Sequence, residues 1–254
     1  MNSDLLIRLL GWRGALFHGD STTLDRWRWL EARLTDPPGA RLIDIGCGTG
    51  AFTIGAATRG YTALGLSWDT RNQTTAQRRA RLCAVQNAVF EILDVRKLNS
   101  RPDLIGQFDV AVLCEVIEHI LDDQKLTSNA AACLKPGGRL LLTTPNYDYH
   151  PITPEDRGPF LTEETGWHVR KGYREADLRR LCEKAGLQVD SITYCAGFLS
   201  QKITWLFRVG GRCHRLLGWV AILPLRIIPP LLDVPVTKWL AWPQYSICLE
   251  ARKK

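Results

Sequence analysis

The sequence predicts an α/β domain: a mostly parallel sheet with helices on both faces, preceded by a helical cap and carrying an apolar, basic helical insertion near its end. Three observations predict it. Short apolar runs at 42–45, 61–67, 89–93, 108–114 and 139–144 alternate with helical patterns, as crossover-connected parallel strands do. The first run leads through Gly46, Gly48 and Gly50 into a helix, the turn by which open sheets receive ligands at the carboxyl edge of their strands. A length of 254 residues suits one sizeable domain with additions better than two domains.

Taken in order, residues 1–39 form the cap. Apolar and tryptophan positions recur at helical spacing over 3–35, Trp27, Trp29 and Leu30 among them, until Asp36-Pro37-Pro38-Gly39 ends the run. The core, 40–197, continues with helices over 51–59 and 70–86, then strand 89–93 ending at Asp94. A helix over 121–134 is stopped by Lys135-Pro136-Gly137-Gly138. Residues 145–174, rich in proline, tyrosine and acids without periodicity, form a long connection of the kind that serves as a lid. A helix over 175–185, stopped by Gly186, precedes a strand at 187–194. The insertion spans 198–244, and a closing strand at 245–251 lies in the tail 245–254.

The stretch Leu42 to Gly50, LIDIGCGTG, is the most informative. Glycines at that spacing allow a sharp turn and a close backbone approach, because no Cβ intervenes. The spacing is G-x-G-x-G with Asp44 two residues ahead, not the G-x-G-x-x-G of dinucleotide sites. A carboxylate at a strand's end suits a ligand bearing positive charge and an amino group, such as S-adenosylmethionine.

Composition narrows the partners. Residues 1–200 hold 24 basic and 24 acidic side chains, whereas 201–254 hold nine basic ones and only Asp233 and Glu250, so the whole excess of +7 sits in the tail. That excess is interleaved with bulky aliphatics rather than laid out as a polar stripe, which weighs against nucleic acid as partner. Eight cysteines without any C-x-x-C pair read as small buried hydrophobes in a reducing, cytoplasmic compartment. The start, MNSDLLIRLLGWRGALF, breaks its apolar pattern with arginines and predicts no cleavable leader.

LIDIGCGTG, the acid after the third strand, FDVAVLCEVIEHI and LKPGGRLLLTTPN occur in an order and spacing that resemble class I S-adenosylmethionine-dependent methyltransferases over about residues 40–195. Within that family, EVIEH followed by TPN is similar to the ubiquinone-pathway O-methyltransferases and small-RNA 2′-O-methyltransferases. The resemblance implies a Rossmann-like sheet of seven strands, the last antiparallel, and S-adenosyl-L-methionine as cofactor. It further implies cofactor contacts from Asp44, Gly46, Cys47, Gly48 and Gly50 to the methionine and ribose, from Asp94 and Val95 to the adenine, and from Cys114 and Glu115 beneath the sulfonium. One position departs from the pattern. Where the family usually grips the ribose with an acid, this chain has Ser67, with Asp69 two residues on as a substitute and Trp68 as a neighbour of the adenine.

Methyl transfer from a sulfonium is an in-line displacement, so the protein aligns the partners, excludes water and, for an oxygen nucleophile, supplies a base or a metal. Glu115, Glu118 and His119 gather carboxylates and an imidazole at a strand-to-helix junction. Such ligands suit magnesium or manganese. The resemblance to the small-RNA enzymes adds a lid histidine, His168, with His150 as the other option. Without metal, His119 or His168 serves as general base, Glu115 stands beside the reacting atoms, and Tyr147, Tyr149 and His150 shape the acceptor site.

Residues 198–244 carry Trp205, Trp219, Trp239 and Trp242 among Lys202, Arg208, Arg212, Arg215, Arg226 and Lys238. Arg226 and three prolines interrupt the most apolar stretch, so it does not predict a membrane-spanning helix. Two readings stay open: a helical layer that covers the acceptor pocket and buries its own apolar face, or a headgroup-level contact that places the chain at the membrane periphery. The leading expectation is O-methylation of a hydrophobic, lipid- or glycan-linked small molecule. The rivals are a metal-assisted RNA 2′-O-methyltransferase and a non-catalytic scaffold of the same fold.

Overall fold

The computed structural model describes residues 3–18, 21–213 and 222–254. Trp219 and Arg215, named above, lie outside the described residues. The cap comprises α1 (Ser3–Leu10), α2 (Arg13–His18) and α3 (Ser21–Glu31), three short helices rather than one run. The core runs β1 (Arg41–Ile45), α4 (Ala51–Thr58), β2 (Thr62–Ser67), α5 (Thr70–Leu82), β3 (Ala88–Ile92), β4 (Phe108–Cys114), α6 (Asp123–Cys133), β5 (Leu134–Pro145), α7 (Glu175–Lys184) and β6 (Leu187–Cys195). Then come α8 (Phe198–Cys213), α9 (Pro229–Trp239) and β7 (Ser246–Lys253).

The seven strands form one sheet in the order β3-β2-β1-β4-β5-β7-β6. β7 pairs antiparallel with both β5 and β6, and the other pairings are parallel. The fold is the Rossmann-like one expected. Strand order reverses between β1 and β4, and a crevice opens outside the carboxyl ends of strands at such a switch point. Lys135-Pro136-Gly137-Gly138, expected to be a stop between helix and strand, is instead the first part of β5. The strand absorbs it through a register shift opposite Phe108 and Val110.

Alternation with period two explains why both faces are covered. Ile43, Ala111, Leu113, Leu140 and Leu142 point to the face packed by Leu126 and Ala130 of α6 and by Leu178 of α7. Leu42, Val110, Val112 and Leu141 point the other way, onto Ala56 and Ala57 of α4 and onto Trp27, Trp29 and Leu30 of α3. The α3 helix thus belongs to the core layer, and Trp29 Nε1 donates to Thr193 Oγ1 on β6 at 2.9 Å.

The C-terminal layer joins the fold through polar groups. Asp233 of α9 accepts from the backbone N–H groups of Gly197 (2.8 Å) and Leu199 (2.7 Å), and Thr237 Oγ1 accepts from that of Phe198 (2.8 Å), so α9 side chains cap α8. Asp233 and Thr237 are buried, while Leu231, Leu232 and Val234 of the same helix are exposed. Of the two readings left open for 198–244, burial of the segment's own apolar face does not describe α9, whose inner side is taken by capping. Asp233→Ala strands two backbone donors, one buried and one half-buried, and is expected to lower unfolding free energy by about 2–3 kcal/mol, read by urea denaturation.

Candidate active site

The glycine loop leaves β1 and folds back over β2: the N–H groups of Gly46 and Cys47 both donate to the Leu66 carbonyl, at 2.9 and 2.8 Å. Gly46, Gly48 and Gly50 all have positive φ, which a side chain disfavours. A Cβ on Gly50 would lie 2.7 Å from both Ala76 Cβ and Phe90 Cε1, whereas one on Gly48 would meet nothing within 4 Å. Gly50 is required by packing, and Gly48 leaves open the side of the loop that faces the crevice. Arg79 of α5, buried, braces the turn by donating to the Thr49 carbonyl at 3.1 Å.

Beside the loop, Asp44 is 3% exposed and accepts from Thr53 Oγ1 at 2.6 Å. Burial raises its carboxyl to about 6, against the opposing pull of that hydrogen bond. Cys47 and Cys114 are kept as neutral thiols, their ionisation pushed up by burial. The crevice is lined by Asp44, the loop, Cys114 and Glu115, and from the cap by Thr23 and Arg26.

Glu115 follows β4 with a φ of 55°. Its carboxylate accepts from Thr143 Oγ1 at 3.1 Å and is bridged by Arg26 Nη1 at 3.1 Å. Sequence reading missed Arg26. The helical pattern places it one residue before Trp27, but only the tertiary packing of α3 under the sheet turns it toward the crevice.

On the side expected to hold the nucleoside, Ser67 is buried and Val95 packs into the core. Asp69 caps α5, accepting from the Arg71 N–H at 2.8 Å. Trp68 is 63% exposed and its ring faces Gly166 of the lid. Asp94 caps the turn Val95–Ser100 and takes a two-pronged hydrogen bond from Arg96, 2.8 Å at Nε and 2.6 Å at Nη2, which holds its carboxyl below the usual range. Arg96 also reaches Glu164 of the lid at 2.7 Å, so in this structure the lid is tied to the position expected to meet the adenine.

Glu118 and His119 lie on a 3₁₀ turn, Ile117–His119, just beyond β4. The lid closes on that turn: the Val169 N–H donates to the Glu118 carbonyl at 2.9 Å, Tyr173 Oη to that of Ile117 at 3.1 Å, and Arg170 Nη2 to that of Ile120 at 2.7 Å. This brings His168 against His119, ring centroids 4.6 Å apart. Potential ligand atoms of Glu118, His119 and His168 all lie within 4.8 Å of one another. Glu118 is fully buried; Oε2 accepts from Thr144 Oγ1 at 3.0 Å and Oε1 lies 3.7 Å from His119 Nε2, while among the described residues neither Oε1 nor the Nδ1 of His119 has a hydrogen-bond partner. Burial first, and Glu115 second, push the Glu118 carboxyl well above its ordinary range. Burial lowers both imidazoles, that of His168 to about 4, so both are neutral near neutral pH.

Two residues named for that metal site stand apart from the cluster. Glu115 does not join the other three expected metal ligands, because Arg26 and Thr143 claim its carboxylate. His150 packs edge-on against Trp242, 4.5 Å between centroids, and takes no part in that cluster. Tyr149 is 1% exposed and its hydroxyl is spent on the Asp156 carbonyl at 2.9 Å, so it holds the lid together from inside. Tyr147 is half-exposed beneath Arg174, whose guanidinium lies 4.0 Å from its ring centroid.

A glycine cradle with a buried carboxylate beside it lies at the switch point, where open α/β sheets bind ligands. The chain belongs to the methyltransferase domain family, whose model matches residues 20–192. It is similar to the ubiquinone biosynthesis O-methyltransferase of Acinetobacter baumannii (strain AYE), 28% identical over 121 residues, 48% of this chain and 50% of that one. The chain thus matches about half the length of the first of its curated relatives. In fold it is similar to the phosphoethanolamine N-methyltransferase 2 of Haemonchus contortus in complex with S-adenosyl-L-methionine, with a TM-score of 0.64, 17% identity, and 90% of this chain and 52% of that one covered. It is equally similar in fold to the cyclase SpnF, with a TM-score of 0.63, 19% identity, and 89% and 79% covered. A shared fold does not by itself choose among such chemistries.

Proposed function

We propose that this chain is an S-adenosylmethionine-dependent methyltransferase acting on an oxygen of a small-molecule acceptor. The observation that carries the reading is the crevice itself: an open Gly48 between two crowded glycine turns, Asp44 buried at its wall and Arg26 facing Glu115 across it. The cofactor, when bound, supplies an electrophilic methyl group. Asp44, once ionised, faces its positive end. Arg26, the one cation among the described residues that line the crevice, takes the methionine carboxylate in exchange for part of its bridge to Glu115. Ser67 and Asp94 bound the nucleoside side, where Asp94 releases Arg96 or shares it.

On the acceptor side, the neutral imidazoles of His119 and His168 hold a lone pair ready to take the proton from a hydroxyl as methyl transfer proceeds. The closed lid excludes water from that step. Trp68 and Trp167, both exposed at the lid, offer apolar surface to a hydrophobic or lipid- or glycan-linked acceptor. A second reading, in which Glu118, His119 and His168 hold a divalent ion such as magnesium or manganese, is favoured by Glu118 Oε1 and His119 Nδ1, which accept or donate no hydrogen bond among the described residues. In that case the ion polarises the acceptor oxygen.

Calorimetric titration with S-adenosylhomocysteine tests the cofactor half. Binding by the parent chain is expected, and Arg26→Ala is expected to weaken it by about tenfold or more through loss of a charge-assisted pair. Equal affinity of parent and variant would remove Arg26 from the site.

A further inference from the structure

We propose that α9 and the turn before it form a docking ridge for an anionic lipid surface. The inference rests on surface chemistry alone and stands whether or not the chain transfers methyl groups. Helix α9 is amphipathic with its sides reversed: Asp233 and Thr237 face inward, while Leu231 is 73%, Val234 59% and Trp239 83% exposed. Ile227, on the preceding turn Pro224–Ile227, is 69% exposed and lies one turn before Leu231, which continues the same stripe. A folded chain exposes so continuous an apolar strip where something else covers it.

The rim identifies the occupant. Arg13 and Arg28 are exposed and line, with Ile227 and Leu231, a shallow groove between the cap and this ridge. Lys238 is exposed within the ridge, next to Trp239. Glu31, on the same groove, is neutralised by Arg59 at 2.5 Å. The one acid within 198–244, Asp233, is buried under α8. An apolar stripe with a tryptophan at its end and cations along its edges matches acyl chains below and anionic headgroups above. A second copy of the chain would bring further cations to the same ridge, whose groove acid among the described residues, Glu31, is already paired with Arg59. No helix among the described residues is long and apolar enough to cross a membrane, so the contact lies in the plane of the interface.

The test is flotation of the full chain with vesicles of phosphatidylcholine alone and of phosphatidylcholine mixed with phosphatidylglycerol, at low and high salt. The expected result is flotation with the anionic vesicles at low salt and release by salt or by neutral lipid. Leu231→Glu with Trp239→Glu should cut partitioning by about a hundredfold, as loss of two inserted apolar side chains implies. Arg13→Gln with Lys238→Gln keeps the apolar stripe and should flatten the salt dependence, so the proposal stays testable if the first pair unfolds the chain. A parent chain that stays with the pellet at low salt, or variants that float as the parent does, would overturn it. So would a dimer in light scattering that Leu231→Glu splits into monomers.

Discussion

Gly48→Val is expected to weaken binding of S-adenosylhomocysteine by about a hundredfold or more while leaving the chain folded. The side chain would enter open space, since among the described residues beyond its chain neighbours no atom lies within 4 Å of the Cβ position, and Gly48 lines the crevice. Its φ of 51° makes a β-branched side chain cost about 2 kcal/mol locally, so a melting temperature lower by several degrees accompanies the lost affinity. Gly50→Ala makes the contrast. There the new Cβ strikes Ala76 and Phe90 at 2.7 Å, so stability suffers together with binding. The pH dependence of affinity gives the same site a second reading. Asp44 titrates at about 6 in the free chain, and only its ionised form faces a cationic ligand favourably. Affinity should be flat above that value and fall roughly tenfold by about one pH unit below it. Titration calorimetry across that range checks the sign: an affinity that rises on acidification would mean that Asp44 does not face the ligand's charge.

His119→Ala and His168→Ala are expected to lower kcat by about a hundredfold to ten-thousandfold each, with the KM for S-adenosylmethionine changed little, because neither imidazole lines the glycine crevice. Removing both should cost little more than removing one, as for groups that act as a unit. Chelator separates the two ways the pair can act. Activity abolished by chelation and restored by magnesium or manganese assigns the histidines and Glu118 to an ion, and activity unmoved by it assigns them to proton transfer. Turnover within a few-fold of the parent in both single variants would exclude either role.

The parts of this molecule that are local in sequence could be read from it. Strand and helix positions follow from apolar periodicity, and the glycine turn follows from three residues whose lack of a Cβ has no other use at that spacing. Glu118, His119 and His168 also come together as expected, although His168 reaches the other two only because Val169, Arg170 and Tyr173 pin the lid to the turn after β4. What could not be read depends on tertiary packing. Arg26 enters the crevice because Trp27 and Leu30 bury α3 under the sheet, and no local pattern says which face of that helix meets β4. The resemblance assigns Asp94 to the adenine, but no sequence pattern shows that Arg96, two residues on, folds back on its carboxylate. The reversed polarity of α9 is invisible in its hydropathy, since it depends on Asp233 capping a helix that begins more than thirty residues earlier.

A crystal structure of the chain with S-adenosylhomocysteine at saturation tests the central claim most directly. The ligand should lie along Gly46 to Gly50 with its adenine toward Ser67 and Asp94, the homocysteine carboxylate on Arg26, the amino group toward Asp44, and the sulfur turned toward His119 and His168. A crevice left vacant at saturating ligand, or the nucleoside seated elsewhere on the sheet, would contradict it.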